Sequence, residues 1–125
     1  MIVWRCILAR MVKRSLSNQE KDLLTYVLEA PLTDKAKKWL DLQPDIHWYK
    51  ASDRYTPGVS DLIICVGGIF VAAELKSATG VASLQQLDFI ERVIRSGGIA
   101  GVCDNMAALK ALVSKARAKL EGYNE

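Results

Sequence analysis

An α/β fold, a central sheet of about four strands flanked by helices, is predicted by three observations. Two apolar runs rich in β-branched residues, 61–66 and 69–76, are separated only by Gly67-Gly68. That is the signature of a hairpin with a two-residue turn. Both faces of this hairpin are apolar. Leu62, Ile64, Val66, Ile69, Val71, Ala73 and Leu75 share one face, and Ile63, Cys65, Phe70 and Ala72 share the other. A sheet apolar on both faces is covered on both. Finally, stretches with helical apolar spacing precede and follow the hairpin.

Each element has its own signal. Ser17-Asn18-Gln19-Glu20 is a capping box, followed by Leu23, Leu24, Val27 and Leu28 at helical spacing. This helix is expected to end near Glu29, before Pro31. A short second helix, capped by Thr33, is expected over 33–42 and stops before Pro44. A strand is predicted over 46–51, then a loop over 52–60 with Pro57-Gly58 as its turn signal. After the hairpin comes a small-residue loop, 77–82. Ser83 and Gln86 form a second capping box, and Phe89, Ile90, Val93 and Ile94 make the stripe of a helix over 83–95 that Gly97 ends. A buried strand is predicted over 99–103, its place in the sheet left open. Asn105 caps a last helix lined by Leu109, Leu112, Val113, Ala116 and Leu120.

The chain has 125 residues, enough for one domain with a real core. No apolar stretch approaches the roughly 20 residues that span a bilayer, so no membrane partner is expected. The start, 1–12, is apolar but broken by Arg5 and Arg10. It reads as an extra strand or docking arm (1–14 in all) rather than a signal peptide. Cys6, Cys65 and Cys103 are scattered and none stands in a Cys-x-x-Cys. Core packing is expected for the latter two, and a reducing cytoplasm for the protein. The net charge of +3 does not by itself indicate nucleic acid. Lys35, Lys37 and Lys38, and Lys110, Lys115, Arg117 and Lys119, form local basic clusters that solvated helix faces explain.

The hairpin register carries the chemistry. If Val66 faces Ile69, counting outward puts Asp61 opposite Glu74. Opposed like charges destabilise a sheet, so a cation between them is expected. Lys76 points to the same face as Glu74, because side chains alternate along a strand. The loops 52–60 and 77–82 and the start of the Ser83 helix open at that edge, and a helix N-terminus suits a phosphate. With no His or Cys placed there, the donors are oxygens, which point to Mg²⁺ or Mn²⁺. A plain surface ion pair is the rival explanation for Glu74 and Lys76. It leaves the opposed Asp61, on a strand too apolar for a solvated edge, without a reason.

Gly58-Val59-Ser60-Asp61, a hydrophobic hairpin, and Glu74-Leu75-Lys76 together resemble the PD-(D/E)XK nuclease superfamily. More closely they resemble the VRR-NUC family of viral replication and repair nucleases. The resemblance runs over 47–105 and includes Tyr49-Lys50, Gln86 and Gly97-Gly98. It implies a restriction-endonuclease-like α-βββ-α-β core with a mixed sheet, and a single nuclease domain over 1–125 with its catalytic core in 46–105. It implies that Asp61, Glu74 and the Leu75 carbonyl bind the metal, and that Lys76 positions or activates water or stabilises charge on the phosphate. Ser60 departs from the proline usual before the first acid.

The resemblance also suggests Gln86 as a residue supporting the site and Glu20 as a second-metal helper. The capping boxes with Ser83 and Ser17 account for the same two residues. Lys50, Arg54, Tyr55 and Ser83 are candidates for contacts to DNA; an ordinary surface role explains each equally well. His47, Trp39 and Trp48 read as structural. The expected activity is Mg²⁺- or Mn²⁺-dependent endonucleolytic cleavage of DNA leaving 5′-phosphate ends. The resemblance further suggests a homodimer, branched substrates such as four-way (Holliday) junctions, and a phage or viral setting in the host cytoplasm. The rivals are an inactive nucleic-acid-binding module of the same fold and a toxin or defence nuclease.

Overall fold

The computed structural model describes residues 17–51, 55–77 and 79–123. The expected arm at 1–14 and Arg54 lie outside them. The elements run α1 (Asn18–Asp41), β1 (Ile46–Lys50), β2 (Leu62–Val66), β3 (Ile69–Leu75), α2 (Leu84–Arg95), β4 (Ile99–Cys103) and α3 (Met106–Tyr123). The strands form one mixed sheet in the order β1-β2-β3-β4. β1 and β3 flank β2 antiparallel, and β4 joins β3 in parallel after the α2 crossover. β2 and β3 are joined by a two-residue turn, β1 and β2 by a longer loop, and the parallel β4 needs a helix to return the chain.

The hairpin closes as its sequence predicts. Gly67 and Gly68 both adopt positive φ, 56° and 96°, which a two-residue turn matching the twist of the strands requires. Val66 pairs with Ile69 and the register continues to Leu62 with Ala73. At Gly67 a side chain would also meet Leu120 of α3, at 2.5 Å for an added Cβ. The turn is thus fixed from both conformation and packing.

The two faces of the sheet are covered unequally. Leu62, Ile64, Val66, Val71, Ala73 and Leu75 are buried with Ala36 and Leu40 of α1 and Leu109, Leu112, Val113 and Ala116 of α3. Trp39, Trp48 and Leu32 pack against this core, and the Trp48 indole N–H donates to Asp41 at 2.9 Å. The other face has α2 alone. There Ile63, Ala72 and Val93 are buried, with Ala51, Val59, Phe89 and Ala100 around them. A helix is about 10–12 Å wide, whereas four strands at about 4.8 Å spacing are nearly twice that. Two helices can cover such a sheet; one cannot. Cys65, expected in the core, is consequently exposed, and so is much of Phe70. Cys103 is buried as expected.

The first two predicted helices are one. α1 runs unbroken through Pro31 for 24 residues. Proline in a helix interior costs the hydrogen bond to the residue four back and about 3 kcal/mol. Beyond it, Ala36 and Leu40 are buried against the sheet, and this packing holds the helical path that the local signal argues against. Thr33, expected as a cap, lies inside the helix. The expected apolar stripe is also only partly used. A 24-residue helix is about 36 Å long, against about 24 Å for seven-residue β3. Leu23 and Val27 in the first half of the helix are exposed. Replacing Pro31, itself exposed, by alanine should raise the unfolding free energy in urea by up to about 3 kcal/mol, with no change in m-value.

Candidate active site at the sheet edge

The hairpin geometry decides how Asp61 and Glu74 meet. In a two-residue hairpin the pair next to the turn, Val66 and Ile69, is hydrogen-bonded, and pairs alternate outward. Counting from Leu62–Ala73, the 61–74 pair is of the narrow, non-hydrogen-bonded type, with Cα atoms about 4.5 Å apart. The backbone agrees. The Asp61 carbonyl faces away from β3 and accepts the Ala51 N–H at 2.9 Å. The two carboxylates are then left to satisfy each other's strand. Asp61 Oδ2 accepts the Leu75 N–H at 2.9 Å, and Glu74 Oε2 accepts the Asp61 N–H at 3.2 Å.

Glu74 is buried, with 1 % of its surface exposed. Its other oxygen, Oε1, accepts from Gln86 Nε2 at 2.6 Å and lies 3.5 Å from Lys76 Nζ. Burial, and secondarily the Asp61 charge beside it, push the Glu74 carboxyl up to about 7, against the opposing pull of Lys76. The charged form of Glu74 is thus disfavoured in this enclosed position, chiefly by burial, despite the nearby lysine.

Gln86 has both of the roles open to it. Its Oε1 accepts the Ser83 N–H at 2.8 Å and the Ser83 hydroxyl accepts the Gln86 N–H at 3.2 Å, which completes the capping box. Its Nε2 remains free to hold Glu74. The start of α2 is thereby tied to the site by one side chain. Gly58 brings the preceding loop onto the same turn: with φ at 85°, a Cβ there would stand 2.3 Å from the Gln85 carbonyl oxygen. Pro57-Gly58 is legible in the sequence as a turn, but nothing in one sequence signals that close approach.

The remaining candidates divide. Lys50 ends β1 opposite Leu62, exposed and one residue from the Ala51–Asp61 contact. Tyr55 is exposed on the loop. Ser83 is engaged in its cap. Glu20 accepts the Ser17 N–H at 3.0 Å in the first capping box, and among the described residues its polar contacts stop there. His47 is exposed on β1, opposite Cys65. Ser60 is fully buried, and among the described residues its hydroxyl has no hydrogen-bond partner.

The donor set fits a hard divalent cation completed by substrate. Among the described residues no group of three or more His, Cys, Asp or Glu gathers into an all-protein cage. Two carboxylates alone are what Mg²⁺ commonly takes from a protein, the rest coming from water and phosphate. The Leu75 N–H faces the Asp61 carboxylate. In an extended strand the carbonyl of the same residue leaves from the same edge, which places that oxygen on the Asp61 side.

Comparison with solved structures finds a protein described as a VRR_NUC domain. It matches with a TM-score of 0.59 at 20 % sequence identity, over 69 % of this chain and 94 % of that one. The chain therefore has the fold of a VRR_NUC domain: a mixed four-stranded sheet with helices on both faces. No protein-family model and no curated protein matches the sequence.

Glu74 makes a pH prediction. Its folded carboxyl titrates near 7 rather than at the ordinary 4.5, so between these values the folded protein holds a proton that the unfolded chain has released. Stability must then fall as pH rises through this window. Its contribution is complete below about 4.5, gone above about 7, and at most about 3 kcal/mol. Urea unfolding of metal-free protein across pH 4–8 should show this decline, and the Glu74→Gln protein should lack that component.

Proposed function

We propose that the protein is a divalent-metal-dependent endonuclease that hydrolyses phosphodiester bonds in DNA. The observation that carries this reading is the buried Glu74, opposed by Asp61, flanked by Lys76 and held by Gln86 at an open sheet edge. An apolar strand end has no structural need of two adjacent carboxylates; a site for a cation and a polyanion does. The fold shared with a VRR_NUC domain supports the same reading.

Asp61 and Glu74, with the Leu75 carbonyl, would hold Mg²⁺ or Mn²⁺. Such an ion, when bound, stabilises charge developing on a phosphate and acidifies bound water. The chain's own residues do the rest. Gln86 fixes the Glu74 oxygen and so the orientation of the carboxylate. Lys76 brings an ammonium, only partly exposed, to the same oxygen, where it meets the phosphate as a point charge or orients the attacking water. Lys50 offers a positive charge to the flanking backbone. Glu20, tied up in its capping box, would serve a second ion only by leaving that cap.

Branched DNA is the substrate class we favour, cut by a homodimer in a phage or viral setting. The exposed apolar residues Leu87 and Ile94 on α2 and Val102 on β4 offer a surface that a second copy would cover. Among the described residues no helix is long and apolar enough to cross a membrane.

A metal-titrated cleavage assay on linear, flapped and four-way DNA tests the proposal. Cleavage should require Mg²⁺ or Mn²⁺, stop in EDTA, leave 5′-phosphates, and fall by at least about 100-fold in Lys76→Ala. Activity that survives EDTA or the substitution places the active site elsewhere. Binding without any cleavage identifies a recognition module of the same fold.

A further inference from the structure

A groove follows one flank of α2. Near the start of the helix it is a cleft of about 480 Å³ lined by Thr56, Pro57, Leu84, Gln85, Asp88, Phe89 and Arg92. Towards the end of the helix it becomes a second cleft of about 430 Å³, floored by Phe70 and walled by Val93, Ser96 and Gly98. The two share Thr56, Phe89 and Arg92, so they are one channel. It exists because α2 covers only half of its face, and because Gly58 lets the 55–58 loop stand against the helix as the opposite wall.

Three features identify its occupant. The channel begins beside the active-site edge: Gln85 lines it, and the next residue, Gln86, holds Glu74. Phe70 lies on the same face of β3 as Glu74, four residues or about 13 Å along the strand. The channel is apolar and aromatic, with Phe70 47 % exposed in its floor. And its charged residues, Asp88 and Arg92, pair with each other at 2.9 Å, so it offers no net charge to a phosphate. Aromatic faces with an adjacent guanidinium are the chemistry that receives unstacked bases.

We propose that this channel receives unpaired nucleobases of the substrate strand next to the scissile phosphate, with Phe70 as the stacking platform. The proposal rests on the nuclease reading above and deepens it. The division of labour is electrostatic: the phosphate goes to the Asp61–Glu74–Lys76 edge and the base to the neutral channel. The preferred substrate is then DNA with a single-stranded or unstacked segment at the cut, and fully paired duplex is a poor one.

The test is a titration of the full chain with a short single-stranded oligonucleotide carrying 2-aminopurine, in Ca²⁺. Stacking quenches this base. The parent and Phe70→Trp should bind and quench it. Phe70→Leu, which keeps an apolar floor without the ring, should bind at least about ten-fold more weakly and lose the quench. Equal binding by Phe70→Leu overturns the proposal, as does a parent that ignores single strands. So does a loss that accompanies conversion of a dimer to a monomer in sedimentation, which would make the channel a contact between copies. Cleavage is followed separately in Mn²⁺. A protein that stacks the base but cuts nothing keeps the channel and loses the nuclease reading; one that cuts but is indifferent to Phe70 does the reverse.

Discussion

Asp61 and Glu74 stand across a narrow pair in which each carboxylate caps the other strand's backbone, and the site follows from that pairing. It is set thirteen residues apart in the chain by a turn of two glycines. Because both glycines hold positive φ, the turn admits one register, and a one-residue slip would send the two acids to opposite faces. Burial then turns proximity into chemistry. An exposed pair of acids at this distance would be screened by water; here Glu74 is enclosed, and burial and the neighbouring Asp61 disfavour its charge.

Lys76 and Gln86 act on that carboxylate in different ways. The lysine supplies charge but on a flexible stem, and partly to solvent. The glutamine supplies none, but it joins the carboxylate to a helix start whose own hydrogen bonds are satisfied by the same side chain. The capping box and the contact with Glu74 are therefore not competing explanations of Gln86. One amide has an acceptor and two donors, and the geometry uses both kinds at once.

Much of this was legible in the sequence, and the reasons differ by element. The hairpin, the Ser83 helix and the last helix carry signals within a few residues: paired glycines, a capping box, an asparagine cap whose Oδ1 accepts the Ala108 N–H at 2.8 Å. The Asp61–Glu74 pairing was legible because register in a two-residue hairpin is arithmetic. What was not legible depends on partners far along the chain. The helical path through Pro31 is decided by the burial of Ala36 and Leu40, and the exposure of Cys65 and Phe70 by how much sheet a single helix can roof. The parallel place of β4 beside β3 and the approach of Gly58 to α2 belong to the same class. Phe70 was indistinguishable in sequence from the core residues that alternate with it.

An ion shared by the two opposed acids is the claim from which the rest descends. Crystals soaked in Mn²⁺ test it directly, since the anomalous signal locates the metal independently of any model. A shared ion gives a peak within about 2–2.5 Å of a carboxylate oxygen of Asp61 and of one from Glu74. A map with no peak between them, or with manganese held by other residues, would contradict it.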